Sequence, residues 1–167
     1  RFFVSPPDTW NLSVLLSTSG AFPAPLAVSP DGQRIALVAS NTDGRSLLWV
    51  RSLDTLAAES LTGTDGATSP FWSPDSRFLG FFADGKLKKI DVSGGPPITL
   101  CDAPISSGGS WNRDGVIVFA PRQVGPLQRV SASGGAPTAA TVLEKGEISH
   151  WRPFFLPDGR HFLYRVN

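Results

Sequence analysis

The sequence predicts an all-β chain built from repeated four-stranded antiparallel units, and three observations predict it. The first is punctuation. There are 17 glycines and 15 prolines among 167 residues, too many breakers for a bundle of helices. The second is a recurring phrase: Ser29-Pro30-Asp31-Gly32, Ser73-Pro74-Asp75-Ser76, Asn112-Arg113-Asp114-Gly115 and Leu156-Pro157-Asp158-Gly159. The spacings between its aspartates are 44, 39 and 44 residues. The third is that the flanks repeat at the same period. Pro70-Phe71-Trp72 matches Pro153-Phe154-Phe155, and Gly94-Gly95-Pro96-Pro97 matches Gly134-Gly135-Ala136-Pro137. A period near 42 residues is that of a four-stranded propeller blade.

The elements follow in order. In the first repeat, residues 25–29 form strand A, 34–39 strand B, 46–53 strand C and 59–62 a short strand D. The Pro-Asp-Gly phrase joins A to B. Pro30 presets φ, Asp31 can accept a nearby backbone N–H, and Gly32 tolerates positive φ. Asp75, Asp114 with Gly115, and Asp158 with Gly159 stand in the same turn. Ser76 replaces the glycine in the second repeat, so that turn must be strained or of another type. Strand B is apolar on both faces, as in Ile35-Ala36-Leu37-Val38 and Phe78-Leu79-Gly80-Phe81-Phe82. Such a run belongs to a strand covered on both sides, here by the neighbouring blades. Strand C alternates, with Ile90 and Val92 on one face and Lys89 and Asp91 on the other. The double glycines are turns between C and D.

Three full blades are expected at 24–62, 67–102 and 107–143, with a half blade at 150–167. Residues 1–18, strand-like at 1–4 and 12–16, precede them. Methionine is absent, residue 1 is Arg, and the last repeat stops after its second strand. The expected arrangement is therefore a partial ring belonging to a larger propeller. The alternatives are a closed four-blade ring completed by residues 1–18, or two copies forming one ring. An open fragment leaves strand edges that invite self-association.

Composition narrows the function. Charged residues are 17% of the chain and the net charge is +1, with no basic stripe of the kind nucleic-acid binding needs. The densest basic cluster, Lys86, Lys88 and Lys89, reads as a solvated outer strand. The longest apolar run, residues 35–39, is far below the ~20 residues of a membrane span. Cys101 is the lone cysteine and forms no internal disulfide. The four turn aspartates lie one per blade and do not converge on a metal ion. His150 and His161 lack a zinc-ligand spacing with Cys101. No nucleophile-elbow string is present. No catalytic residue, metal or cofactor is expected. Trp72, Trp111 and Trp151 are expected to pack between blades.

Candidate binding residues lie in the B–C and D–A connections, on the face opposite the A–B turns, because loops on a rigid scaffold carry recognition. They are Asp43, Arg45, Asp65, Arg122, His150 and Arg152, with His150 and Arg152 placed near the channel mouth.

Ser-Pro-Asp-Gly followed by Arg34-Ile35-Ala36-Leu37-Val38, Phe71-Trp72-Ser73-Pro74-Asp75-Ser76, and Val92-Ser93-Gly94-Gly95-Pro96-Pro97 resemble the TolB-type propeller repeat over about residues 22–167. The stretch Phe82-Ala83-Asp84-Gly85-Lys86-Leu87 with the following Lys88-Lys89-Ile90-Asp91-Val92 resembles propellers attached to bacterial membrane-anchored serine/threonine kinases. That resemblance implies a non-catalytic, extracytoplasmic sensor module with a protein, peptide or ligand partner. The kinase's own catalytic strings are absent from this chain. Two other settings are a gating propeller of a prolyl-oligopeptidase-like peptidase and a periplasmic scaffold like TolB.

Overall fold

The computed structural model describes residues 10–12, 26–55, 57–105 and 108–167, and within them all regular structure is β-strand. The first blade holds β1 (Asn11–Leu12), β2 (Leu26–Val28), β3 (Arg34–Ser40), β4 (Ser46–Ser52) and β5 (Ala58–Ser60). The second holds β6 (Thr68–Trp72), β7 (Phe78–Ala83), β8 (Lys86–Asp91) and β9 (Ile98–Asp102). The third holds β10 (Gly109–Trp111), β11 (Val116–Phe119), β12 (Gln128–Ser131) and β13 (Thr138–Ala139). The half blade is β14 (His150–Phe155) with β15 (Phe162–Val166). Strands pair antiparallel in chain order within each sheet, except that β1 pairs with β3. The result is an open arc of blades, each a meander running outward from the axis.

All four A–B turns are the same turn. The amide of Gly32, Ser76, Gly115 and Gly159 donates to the carbonyl three residues back in each. The glycines sit at φ 71 to 75°, and Ser76 occupies the same slot at φ 58°. Of the two options open for Ser76, strain is the one realised; the turn type is kept. Its hydroxyl accepts the N–H of Asp31 at 3.1 Å, which gives the strained residue a contact to the first blade that glycine could not make.

The turn aspartates act as caps. Asp31, Asp75 and Asp158 each accept the N–H two residues on, and Ser29 and Ser73 donate to their carboxylates. These bonds, the serine donors first for Asp31 and Asp75 and the His161 ring first for Asp158, hold all three carboxyls below the usual carboxylate range. Asp114 departs from the expected role. Asn112 takes over there, its Oδ1 accepting the N–H of both Asp114 and Val116.

The core lies between blades. Phe81, Leu79 and Trp72 of the second blade pack on Leu48 and Val38 of the first. Phe71 and Phe82 pack toward Ile117 and Phe119 of the third. Each buried side chain near the axis is therefore shared between repeats, which explains why strand B is apolar on both faces.

Residues Asn11–Leu12 correct one expectation. They pair with Ser40 and Ala39 of β3, on the edge of β3 that β2 also uses, and so extend the first blade and not the last. The strand-like residues 1–4 and 13–16 lie outside the described residues. His161 stands just before β15.

Candidate binding site

The innermost strands β2, β6, β10 and β14 face one axis. Between them lies a cavity of about 540 Å³, bordered by Val28, Trp72, Trp111, Phe154, Pro74 and Pro157 among others. Its wall is apolar and aromatic, and it opens toward the A–B turns, whose prolines form its rim. The tryptophans hold neighbouring blades together as expected. Trp72 Nε1 donates to the Ala27 carbonyl at 2.9 Å, Trp111 stacks on Phe78 with ring centroids 6.2 Å apart, and Trp151 Nε1 donates to the Gln123 carbonyl.

Phe71 reaches the cavity because two glycines make room. A Cβ at Gly80 would stand 2.3 Å from its ring, and one at Gly109 2.6 Å. The rim is braced from blade to blade. Arg34 donates to the Ser76 carbonyl, Asn112 Nδ2 to the Gly159 carbonyl, and Arg113 to the Pro157 carbonyl. At the junction of the second and third blades Phe78 occupies the place of Arg34 and offers no donor. A shallow groove remains there, bordered by Asp75, Phe78, Trp111 and Arg113.

The strands enter the axis through a repeated distortion. Ser69 and Arg152 stand six residues before their turn aspartates, at φ 49° and 52°. Each marks a one-residue bulge, between Thr68 and Phe71 and between Trp151 and Phe154. Gly108 holds the same place before β10 at φ 99°.

None of the six loop residues singled out from the sequence borders the cavity. Arg45 and Asp65 pair with each other at 2.5 Å, an exposed pair that holds the two connections of the first blade together. Asn41 accepts the Asp43 N–H and donates to its carboxylate. Arg122 is exposed. Arg152 carries the bulge, its backbone 3.5 Å from where a Cβ on Gly108 would stand.

His150 is 1% exposed, so it does not project into the channel as an open contact. Its Nδ1 lies 2.8 Å from Thr141 Oγ1 and its Nε2 3.0 Å from Glu147 Oε2. Thr141 accepts the Leu127 N–H, and Glu147 accepts the Glu144 N–H. A neutral imidazole accepting the Thr141 hydroxyl and donating to Glu147 satisfies this whole chain. Hydroxyl, imidazole and carboxylate thus meet, but the half-buried hydroxyl serves as a strand cap, bonded to the Leu127 N–H. Thr64 does the same work in the first blade, accepting the Leu48 N–H and donating to the Leu61 carbonyl.

His161 is exposed beside Asp158. Burial raises the Cys101 thiol to about 11, which makes it a poor nucleophile. Among the described residues no three acidic, histidine or cysteine side chains gather as a metal site would require, and no helix is long and apolar enough to cross a membrane.

No family model matches the sequence, and no match is found among curated proteins. Solved structures do match. A TolB-type protein from Agrobacterium tumefaciens superposes with a TM-score of 0.68 at 18% identity, over 87% of this chain and 60% of that one. The β-propeller domain of the Trilobed protease from Pyrococcus furiosus, described as having an open velcro topology, gives 0.55 at 21% identity, over 87% and 55%. The Cps50 (Swd1) β-propeller domain of Myceliophteria thermophila gives 0.59 at 17% identity, over 86% and 50%. The shared feature is the β-propeller fold, and the chain spans 60% or less of each of these proteins.

Proposed function

We propose that this chain is a non-catalytic recognition module, part of a larger β-propeller, that takes a protein or peptide segment into its axial channel. The observation that carries the reading is the cavity of about 540 Å³, walled by residues of all four inner strands, aromatic on β6, β10 and β14, and by the turn prolines Pro30, Pro74 and Pro157. Such a concave apolar site with few polar groups suits an inserted side chain or extended segment. In this reading the connections bearing Asp43, Arg45, Asp65, Arg122 and Arg152 form a polar rim at the other end of the axis. His150 lies behind that rim as a positioning residue, holding residues 144–150 in place through Thr141 and Glu147.

The resemblance to kinase-attached propellers supports an extracytoplasmic sensor setting. Likeness to a protease propeller domain supports a second setting, a gate beside a peptidase domain. The two differ in the partner and not in the site.

Selection of binders from a random peptide library tests the reading. Selected peptides should lose at least about tenfold in affinity with Val28→Glu or Phe154→Ala, a step of about 1.4 kcal/mol. Both residues border the cavity and are more than half exposed, so the fold should survive. Loss with Arg122→Ala and Asp43→Ala alone would move recognition to the loop face. Retention in all four variants would defeat the proposal.

A further inference from the structure

Arg34 closes the gap between the first two blades by holding three groups at once. Its Nη2 lies 3.5 Å from Asp31 Oδ2 of its own turn and donates to the Ser76 carbonyl of the next turn at 2.7 Å. Its guanidinium carbon stands over the Trp72 ring, 5.4 Å from the centroid. Carboxylate, carbonyl and indole thus form a three-sided seat for one guanidinium.

The seat recurs between the second and third blades without its guanidinium. Strand register makes Phe78 the counterpart of Arg34. Phe78 directly precedes the Leu79 that pairs with Trp72, as Arg34 precedes the Ile35 that pairs with Val28. The three receiving groups are kept. Asp75 stands in its turn as Asp31 does, its Oδ1 taking the Ser73 hydroxyl and the Arg77 N–H. Its Oδ2 has no ion pair among the described residues. Gly115 holds the turn position of Ser76, and its carbonyl takes the Ala132 N–H at 2.8 Å, with a second lone pair to offer. Trp111 pairs with Ile117 as Trp72 pairs with Leu79. Asp75, Gly115 and Trp111 all border the groove at this junction, whose volume is about 500 Å³.

The charges around the groove are balanced. Arg77 is held by Asp91 at 2.9 Å, Lys89 lies over the Phe78 ring, and Arg113 is turned to the Pro157 carbonyl of the half blade. The carboxylates of Asp75, Asp91 and Asp114 offset these three cations. An arriving guanidinium therefore meets no net repulsion. It finds the Asp75 carboxylate beside two aromatic rings, Phe78 and Trp111, which attract a cation. We infer that the groove between the second and third blades is a binding site for an arginine side chain presented by a partner, which takes the place that Arg34 fills within the chain. Both walls are complete blades. The site is separate from the axial cavity, although Pro74, Trp111, Asn112 and Arg113 border both.

Titration of the 167-residue chain with Nα-acetyl-arginine methylamide, followed by nuclear magnetic resonance, tests this. The indole N–H signal of Trp111, assigned from its loss in Trp111→Phe, should move saturably in the millimolar range. The signal of Trp72, whose ring Arg34 already covers, should stay in place. The citrulline analogue, of the same shape but uncharged, should have little effect. Phe78→Arg should fill the seat from within and abolish the response, with circular dichroism unchanged. Asp75→Asn, whose amide oxygen can still cap the turn, should weaken binding severalfold. Silence of Trp111 overturns the inference. So does an equal response from Trp72 or to the citrulline analogue, or binding that either Phe78→Arg or Asp75→Asn leaves intact.

Discussion

The second blade and the half blade carry nearly the same phrase, Pro-Phe-aromatic before the turn, and put its phenylalanine in opposite environments. Phe71 is 8% exposed, resting on Gly80 and Gly109, whereas Phe154 is 66% exposed. The strands beside them differ likewise. Leu163, the counterpart of Gly80, is largely exposed, while Gly80 lies beneath an aromatic ring. In this architecture a blade's own sequence sets its conformation, but its neighbour decides its burial. Stability is accordingly concentrated at the junctions.

The comparison breaks most sharply on truncation of the two phenylalanines. Phe71→Ala should cost about 3–5 kcal/mol, the range for a buried aromatic. Phe154→Ala should stay within about 1 kcal/mol, since little area is lost from a largely exposed ring. Urea unfolding measures both, and equal losses would show that the half blade is packed like the others.

Next in size is overpacking. Gly80→Val drives a side chain into the Phe71 ring and should destabilise by about 1–3 kcal/mol. Leu163→Val, at the matching position, should be near neutral. A neutral Gly80→Val would mean that Phe71 can leave its seat without loss.

The turns supply a smaller contrast. Gly32→Val should cost about 1 kcal/mol or more, because a β-branched residue is forced to positive φ. Ser76→Gly relieves the same strain but removes the hydroxyl that accepts the Asp31 N–H, so its melting temperature should move little in either direction. A large drop would show that the contact between blades outweighs the backbone strain.

The smallest expected effect is on pH dependence. Ser93 and Arg77 donate to Asp91 and lower its carboxyl to about 2. A carboxyl depressed in the folded state adds stability above its ordinary value of about 4 and loses it as pH falls through about 2. Asp31, Asp75 and Asp158 shift in the same direction. Unfolding measured between pH 5 and 2 should show declining stability, and Asp91→Asn should flatten part of the slope. An unchanged slope would mean that water, and not the protein, sets the carboxyl's affinity for protons.

The blades were legible because turn chemistry is local. Pro30, Asp31 and Gly32 act within a few residues, and their recurrence gives the period directly. Asn112 shows the limit of that reading. Its position invited an assignment of capping to Asp114, and only the geometry reveals that the Asn112 amide does the work. The cavity was illegible for a different reason. Trp72 and Trp111 serve both as packing and as lining, and which surface of each ring meets solvent depends on three strands far away in sequence. His150 was misplaced because its partners, nine and three residues back, form a closed network that no spacing rule announces. The Phe71 seat is half legible, as glycine facing an aromatic residue across paired strands, but the second glycine, Gly109, comes from another blade.

The bulge at Ser69 and Arg152, matched by Gly108, acts as a phase reset. One extra residue absorbed at the head of the inner strand detaches the spacing of the strand from whatever length of connection precedes it. The lengths of the connections ahead of β6 and β14 can therefore change without rotating Trp72 or Phe155 off the axis. The scaffold thus behaves as an interchangeable loop display whose inner wall stays constant, with Ser69, Gly108 and Arg152 as the fixed mounting points.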